Sequence, residues 1–550
     1  MKSKKVLVSL LAATVAVGSY QGITGITYAK SSSVSKVSWF ADINFWNPPQ
    51  TWNTDPKTVQ GVITKNTGLT FEMNIPPQDA VTKLNLMLAS GAKLPDVMTL
   101  SDANEEAKLI KAGKVWNLQD FIKKYDPKSH LLKDFPNDIK KALTKRDGGW
   151  YAFPSHMISK DAKKIWKPSD QYFVDLEDYR NNNALMVNTK LMKQAGIKLD
   201  ELKTENGLLA AYKKVASKNL KVNGAPVVPL LLDGKGYMYS TVSVLSNMFG
   251  GMEVDKNGKY RDMLFAPETK HTYQFLNKAF KDGYFDANQL TMDGTATKSL
   301  VLTGRVFTFI GNTANTGFSD QDNWTSPGAV QSSTGEKPVF GRNDKAGCGW
   351  LNTFISKSTK EPEKLAKWLS FMSSKEGLML NYFGIKGKDY NLNKKGLAVQ
   401  TKQGMEDATN YSKTGVFAYW PFHNIAFHDS AVPAPTDVKT GADGVIAMQV
   451  QTAFAKSKGT VIYDSSAVAF PGNLIPAGSK LDNIQIQVKQ YREAEVSRVV
   501  LAKNDSTLNK EYNAMIAKLK ELGQEKVDAE KNKYTQSENK DNGFALKSIN

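Results

Sequence analysis

Cysteine is almost absent: 550 residues hold one, Cys348. No disulfide can form within the chain, and Cys348, set between Gly347 and Gly349 with no histidine close in sequence, reads as a small buried residue and not a nucleophile. Histidine is nearly as scarce. Of His130, His156, His271, His423 and His428, only the last two stand close together, five apart in a Pro/Phe-rich loop, and that pairing reads as incidental. The G-x-S-x-G elbow, the H-E-x-x-H pair and the phosphate-cradling P-loop are all missing, which removes the common hydrolase, metalloprotease and nucleotide-binding signatures. Beyond the first thirty residues no apolar run is long enough to suggest a membrane span.

Apolar side chains, by contrast, are plentiful. A hydrophobic fraction of 41% with 10% aromatics is that of a folding chain. At about 150 residues per domain, the length allows two to four units. Formal charge is +18, an excess that favours anionic surroundings. The lysines are scattered, with neither zinc-finger spacing nor an aromatic RNA-binding box, so nucleic acid is not the expected partner; an anionic cell wall or an acidic ligand fits better.

Lys2, Lys4 and Lys5 form a basic start, Val6 to Val17 a short apolar core, and Thr27-Tyr28-Ala29 a small-residue cleavage site. Residues 1–29 are therefore expected to be a signal peptide, and its removal, which takes three lysines and no acid, leaves +15. No cysteine follows the cleavage site, so the exported chain is expected outside the cell or associated with wall or membrane, without a lipid anchor.

Strand-like and helix-like segments alternate thereafter. Val37 to Phe40 reads as a strand and the Pro/Asn/Trp-rich residues 44–56 as a loop. Helical signals follow at 57–66, 79–91, 103–112 and 117–124, separated by strand-like Leu69 to Ile75 and Leu94 to Leu100. Asp147-Gly148 opens a turn into Trp150 to Pro154, Ala184 to Asn188 is a further apolar strand, and Leu302 to Gly311 is a buried strand behind a helical turn. Leu351 to Ser356 leads to Pro362 in a helix's first turn, with Leu365, Leu369 and Met372 on one face and Trp368 as core among them. Alternation of this kind predicts an α/β fold of mostly parallel sheets flanked by helices.

Lys83 to Gly91 with Leu94-Pro95-Asp96-Val97, Trp116 to Ile122 with Tyr125, Asp147 to Pro154, Leu302 to Gly311, Ile355-Ser356-Lys357 with Lys360 to Lys364, Glu376-Gly377, and Tyr382 to Tyr390 together resemble the family 1 extracellular solute-binding proteins of bacterial ABC importers, in their long Gram-positive, LplA-like branch. The likeness runs over most of residues 36–525. It implies a two-lobed periplasmic-binding-protein type II fold crossed several times by the chain, and a monomeric receptor, not an enzyme, that closes on a carbohydrate ligand and hands it to membrane permease subunits. The implied lobes are 36–183 with about 339–400, and 184–338 with about 401–525 and the C-terminal helices, leaving 526–550 as a polar tail. Some relatives carry an acidic calcium loop; Leu220 to Gly224 lacks the carboxylates for it, so no metal or other cofactor is expected.

A sugar presents an apolar C–H face and a hydroxyl rim, so its receptor needs flat aromatic platforms beside carboxylates and amides. Tryptophans on expected loops and strand ends are Trp46, Trp150, Trp324, Trp350 and Trp420; polar partners are Asp42 and Asn44 after the first strand, Asp96 and Asn312. Asp96 could equally cap a helix or hold a turn, and Arg180 could face a uronic acid or simply solvent. Two other classes remain open: a secreted glycoside hydrolase using a carboxylate pair, and a basic protein that coats the wall through charge. For the latter, Leu508, Tyr512, Met515, Ile516, Leu519 and Leu522 form an apolar helical face stopped by Gly523, expected to dock on a lobe.

Overall fold

The computed structural model describes residues 34–550 apart from 78–79, 319–321, 344–348 and 437–443. The expected signal peptide and Cys348 lie outside the described residues.

Two sheets organise the chain. The first contains β1 (Ser35–Ala41), β2 (Leu69–Asn74), β3 (Val97–Leu100), β4 (Phe153–Pro154) and a late strand, β10 (Asn352–Ile355), in the order β2-β1-β3-β10-β4. The second holds β5 (Asn183–Asn188), β6 (Val228–Leu232), β7 (Val306–Asn312) and β8 (Trp324–Thr325) in the order β8-β5-β7-β6. Within each sheet one strand runs against the rest: β10 is antiparallel to β3 and β4, and β5 to β7 and β8. Both are the first strand after a crossing from the other sheet. A chain that arrives at the carboxyl edge of parallel strands must start its own strand there, so it runs backwards.

Each sheet has its own core. Trp39, Phe71, Phe121, Ile139, Trp368 and Phe422 cluster around the first. Leu185, Tyr212, Leu230, Phe275 and Phe307 cluster around the second, and the helices Lys480–Val500 and Asp505–Leu522 add Val488, Val496, Leu508, Met515 and Leu519 to it. The latter helix docks through the face its 3.6-residue period forecasts. It stops at Gly523, whose φ of 104° lies where a side chain would strain the backbone.

Two segments depart from the expected division. Val416, Ala418, Tyr419 and Phe422, read as second-lobe residues, pack in the first core. The expected polar tail contains a helix, Gln524–Asn542, that buries Thr535 and Glu538 without an apolar stripe. Specific polar partners hold it: Asn542 Nδ2 donates to Ser466 Oγ at 3.0 Å, and Glu538 meets Lys145 across 2.7 Å.

Candidate ligand-binding site

Strand direction brings the loops after β1, β3 and β4 and the segment before β10 to one edge of the first sheet. In open α/β sheets that carboxyl edge is where ligands sit. Asp42 leaves β1 there and accepts hydrogen bonds from Ser101 N at 2.9 Å and Ser101 Oγ at 3.1 Å, tying the first loop to the end of β3. Burial pushes the Asp42 carboxyl above its usual range despite those bonds.

The same loop then places adjacent aromatics on opposite sides. Trp46 turns inward, 1% exposed, its indole N–H donating to the Ala418 carbonyl at 2.8 Å and its ring edge-on to Trp39. Anchored by Trp46 and buried Ile43, Phe45 is 63% exposed. Its ring lies parallel to Trp350, centroids 6.0 Å apart, and 6.3 Å from Trp420, which leans on Tyr411. Trp350 itself is 40% exposed and its N–H donates to His156 Nδ1 at 3.0 Å. From His156 the row of rings continues through His423, 5.2 Å away, to exposed Phe417, a further 4.4 Å on.

His156 and Phe417 have φ of 50° and 63°. Non-glycine residues in that left-handed region carry strain of about 1–3 kcal/mol, and such strain collects at functional sites. Burial lowers the His156 pKa to about 4, so the ring is neutral and its Nδ1 can accept.

On the second sheet the matching edge is polar. Asn312 at the end of β7 accepts from Ala314 N on its side-chain Oδ1 at 3.1 Å, and its backbone N–H donates to Asp233 Oδ2 at 3.0 Å; Asn315 Nδ2 donates to the other Asp233 oxygen at 2.9 Å. Between the two cores lies a cavity of ≈ 500 Å³. One wall is the helix Lys160–Ile165, which packs beside Asn137–Asp147 of the first core; the other is β9 (Val339–Arg342), whose Phe340 belongs to the second. Among the described residues no three metal-ligating side chains converge.

Of the residues expected from sequence, Asp42, Asn44, Trp350 and Trp420 come together at the first sheet's edge, Asn44 reaching Pro77 O at 3.4 Å. Asn312 stands at the second. The others are corrected. Trp46, Trp150 and Trp324 are enclosed, with no ring face for a ligand. Trp150 precedes β4, donates to Ala152 O at 2.9 Å and packs on Phe135 at 4.4 Å, and Trp324 starts β8 opposite Asn188, at the far edge of its sheet. Asp96 stands before β3, not after it, and binds Ser38 N at 3.0 Å and Ser38 Oγ at 2.9 Å. Phe45, His156 and Phe417 were missed; a second aromatic beside Trp46 in a polar, Pro-bounded loop was the available signal for Phe45.

Residues 50–379 match the family model described as bacterial extracellular solute-binding protein. The chain belongs to this family. Its members are binding proteins, not enzymes, and act outside the cytoplasm. Solved structures agree in fold. An extracellular solute-binding protein from Bifidobacterium longum subsp. infantis is 15% identical with TM-score 0.67, covering 92% of this chain and 99% of that one. The S. pneumoniae ABC-transporter substrate-binding protein FusA, in complex with kestose, is 16% identical with TM-score 0.64 over 92% and 100%. A human-milk-oligosaccharide (HMO) binding, ABC-transporter-associated solute-binding protein from Bifidobacterium longum infantis ATCC 15697 is 14% identical with TM-score 0.63 over 92% and 99%. Each is two-lobed, as is this solute-binding protein. No curated protein matches it in sequence.

Proposed function

We propose that this solute-binding protein is the receptor of an ABC importer that captures an oligosaccharide between its lobes, with Phe45, Trp350 and Trp420 as stacking platforms and Asp42, Asn44 and Asn312 as polar contacts on the rim. The observation that carries the reading is the row of solvent-open aromatic rings at the carboxyl edge of the first sheet. Soluble proteins seldom leave such rings together in water without a use for them, and sugars offer the flat C–H faces they stack on. The FusA structure with kestose and the HMO-binding protein from Bifidobacterium longum infantis ATCC 15697 support the ligand class.

One lobe, in this reading, is residues 34–157 with 349–423 and the other 183–342 with 445–550. A ligand that touches both adds contacts only the closed form offers, so it shifts the population toward closure, and closure is what the permease reads. Its excess of positive charge favours association with an anionic wall or membrane surface once the chain is exported.

Titration calorimetry with an oligosaccharide panel tests this. Saturable heat is expected with at least one sugar, and Trp350→Ala should weaken that binding by about 1–3 kcal/mol. Unchanged affinity in the variant removes Trp350 from the site, and flat titrations throughout contradict the reading.

A further inference from the structure

Glu106 stands in the first turn of the helix Ala103–Lys111, just past the end of β3 at the carboxyl edge of the first sheet. It is buried, and so is the residue it meets, Asn352, which opens β10 between Leu100 of β3 and Pro154 of β4. Asn352 Nδ2 donates to Glu106 Oε1 at 2.9 Å. The second carboxyl oxygen, Oε2, lies 3.2 Å from the Arg146 guanidinium yet accepts no hydrogen bond. That guanidinium is aligned on Asp147, donating from Nε and Nη2 to its two oxygens at 2.7 Å each. Arg146 therefore serves two enclosed carboxylates, and Asp42 adds to the negative field; Lys108, on the same helix as Glu106, is held by Glu105 at 2.6 Å. Asn352 Oδ1 also lacks a donor. Two groups already joined by one hydrogen bond thus each bury an unsatisfied acceptor, a costly arrangement that a single proton on Oε2 relieves. Burial raises the Glu106 carboxyl to about 7 against the opposing pull of Arg146 and Asn352.

Asn352 lies two residues beyond Trp350. Between them, Leu351 N donates to Ser155 Oγ at 3.3 Å, and the same hydroxyl lies 2.7 Å from His156 Nδ1, the atom on which the Trp350 indole ends. The start of β10 and the aromatic platform are therefore one hydrogen-bonded unit. We propose that Glu106 is a positioning residue for Trp350: its protonated carboxyl donates from Oε2 to Asn352 Oδ1 while Asn352 Nδ2 donates to Oε1, and this two-bond clasp holds the start of β10, and with it the ring, in place for stacking. Terminal torsions of Glu and Asn are broad, so the clasp closes with a small rotation. Loss of the proton sets two buried acceptors against each other and loosens the first residue of the strand. Sugar affinity is thereby tied to pH near neutrality. The inference rests on the receptor reading above and adds a proton to what that site requires.

Two measurements on the purified protein test it: the indole N–H resonance of Trp350, identified by its absence in Trp350→Phe, and calorimetry with kestose, maltotetraose and lacto-N-tetraose. From pH 6 to 8 the resonance should shift with a midpoint near 7 in the parent. It should stay fixed in Glu106→Gln, whose amide makes both bonds without titrating. His271 and Asp528, which are also raised toward this range, titrate alike in both proteins and cancel in the comparison. A sugar that gives heat should bind the parent about 3- to 10-fold more weakly at pH 8 than at pH 6, and the variant equally at both. A resonance that ignores pH in the parent, or a resonance or affinity that responds to pH identically in the two proteins, overturns the positioning role and leaves the receptor reading intact. Absence of heat with all three sugars counts against the receptor reading, while the resonance still decides the role of Glu106.

Discussion

The indole N–H of Trp350 ends on His156 Nδ1, and only a neutral imidazole accepts it. Burial holds the His156 pKa near 4, below the 6.5 of an unfolded histidine. Between those values the unfolded chain takes a proton that the folded chain refuses, so stability from this group is full above pH 6.5 and is lost as pH falls toward 4. Asparagine tolerates the left-handed backbone of residue 156 without titrating. Thermal denaturation of His156→Asn and the parent across pH 7 to 4 should therefore show the parent losing up to about 3 kcal/mol more than the variant; parallel curves contradict the assignment. Phe45, the most exposed ring of the row, contributes little to the core, so Phe45→Ala should leave the unfolding free energy within about 1 kcal/mol of the parent while weakening sugar binding, as scanning calorimetry and titration together would register. An equal affinity removes Phe45 from the site. Which of two adjacent aromatics turns inward could not be read from the loop: Trp46 is buried because a carbonyl at residue 418 meets its N–H, a contact 372 residues away in the chain.

Strands and helices were legible where local chemistry decides them. Apolar, β-branched runs bounded by Gly, Pro or Asn became β1, β2, β5 and β7, and Pro362 opens the helix Pro362–Ser373 that buries Trp368. Direction was not legible, because hydrophobic period is the same read either way; the reversal of β5 and β10 comes from where the chain enters each sheet. The same limit misplaced Asp96, whose strand delivers it to the edge remote from the cleft. Helix Gln524–Asn542 escaped notice because its burial rests on paired polar groups and not on an apolar stripe. One of those pairs joins the lobes. Lys145 Nζ, on the first-core helix Asn137–Asp147, reaches Glu538 at 2.7 Å and Asp541 at 3.2 Å. Lysine 145 is largely exposed, so the tie contributes on the order of 1 kcal/mol. Lys145→Ala is expected to loosen the approach of the lobes and raise the ligand dissociation constant about fivefold; a calorimetric affinity equal to the parent's would show the pair to be passive.

At the scale of the whole molecule, the receptor reading takes the two cores, one around each sheet, as bodies that hinge about the chain segments passing between them. On that reading the site draws on both halves: the aromatic row belongs to the first sheet, the Asn312 edge to the second, and the cavity has a wall from each. Binding energy collected from both halves is what can move the equilibrium, since a ligand with equal affinity for open and closed forms shifts nothing. The excess of +15 that remains once the expected signal peptide is removed surrounds that motion with a field favouring an anionic wall. Small-angle X-ray scattering with and without a saturating sugar, chosen as one that gives heat by calorimetry, tests closure most directly. The radius of gyration should fall on saturation; superimposable curves at full occupancy would contradict capture by lobe closure.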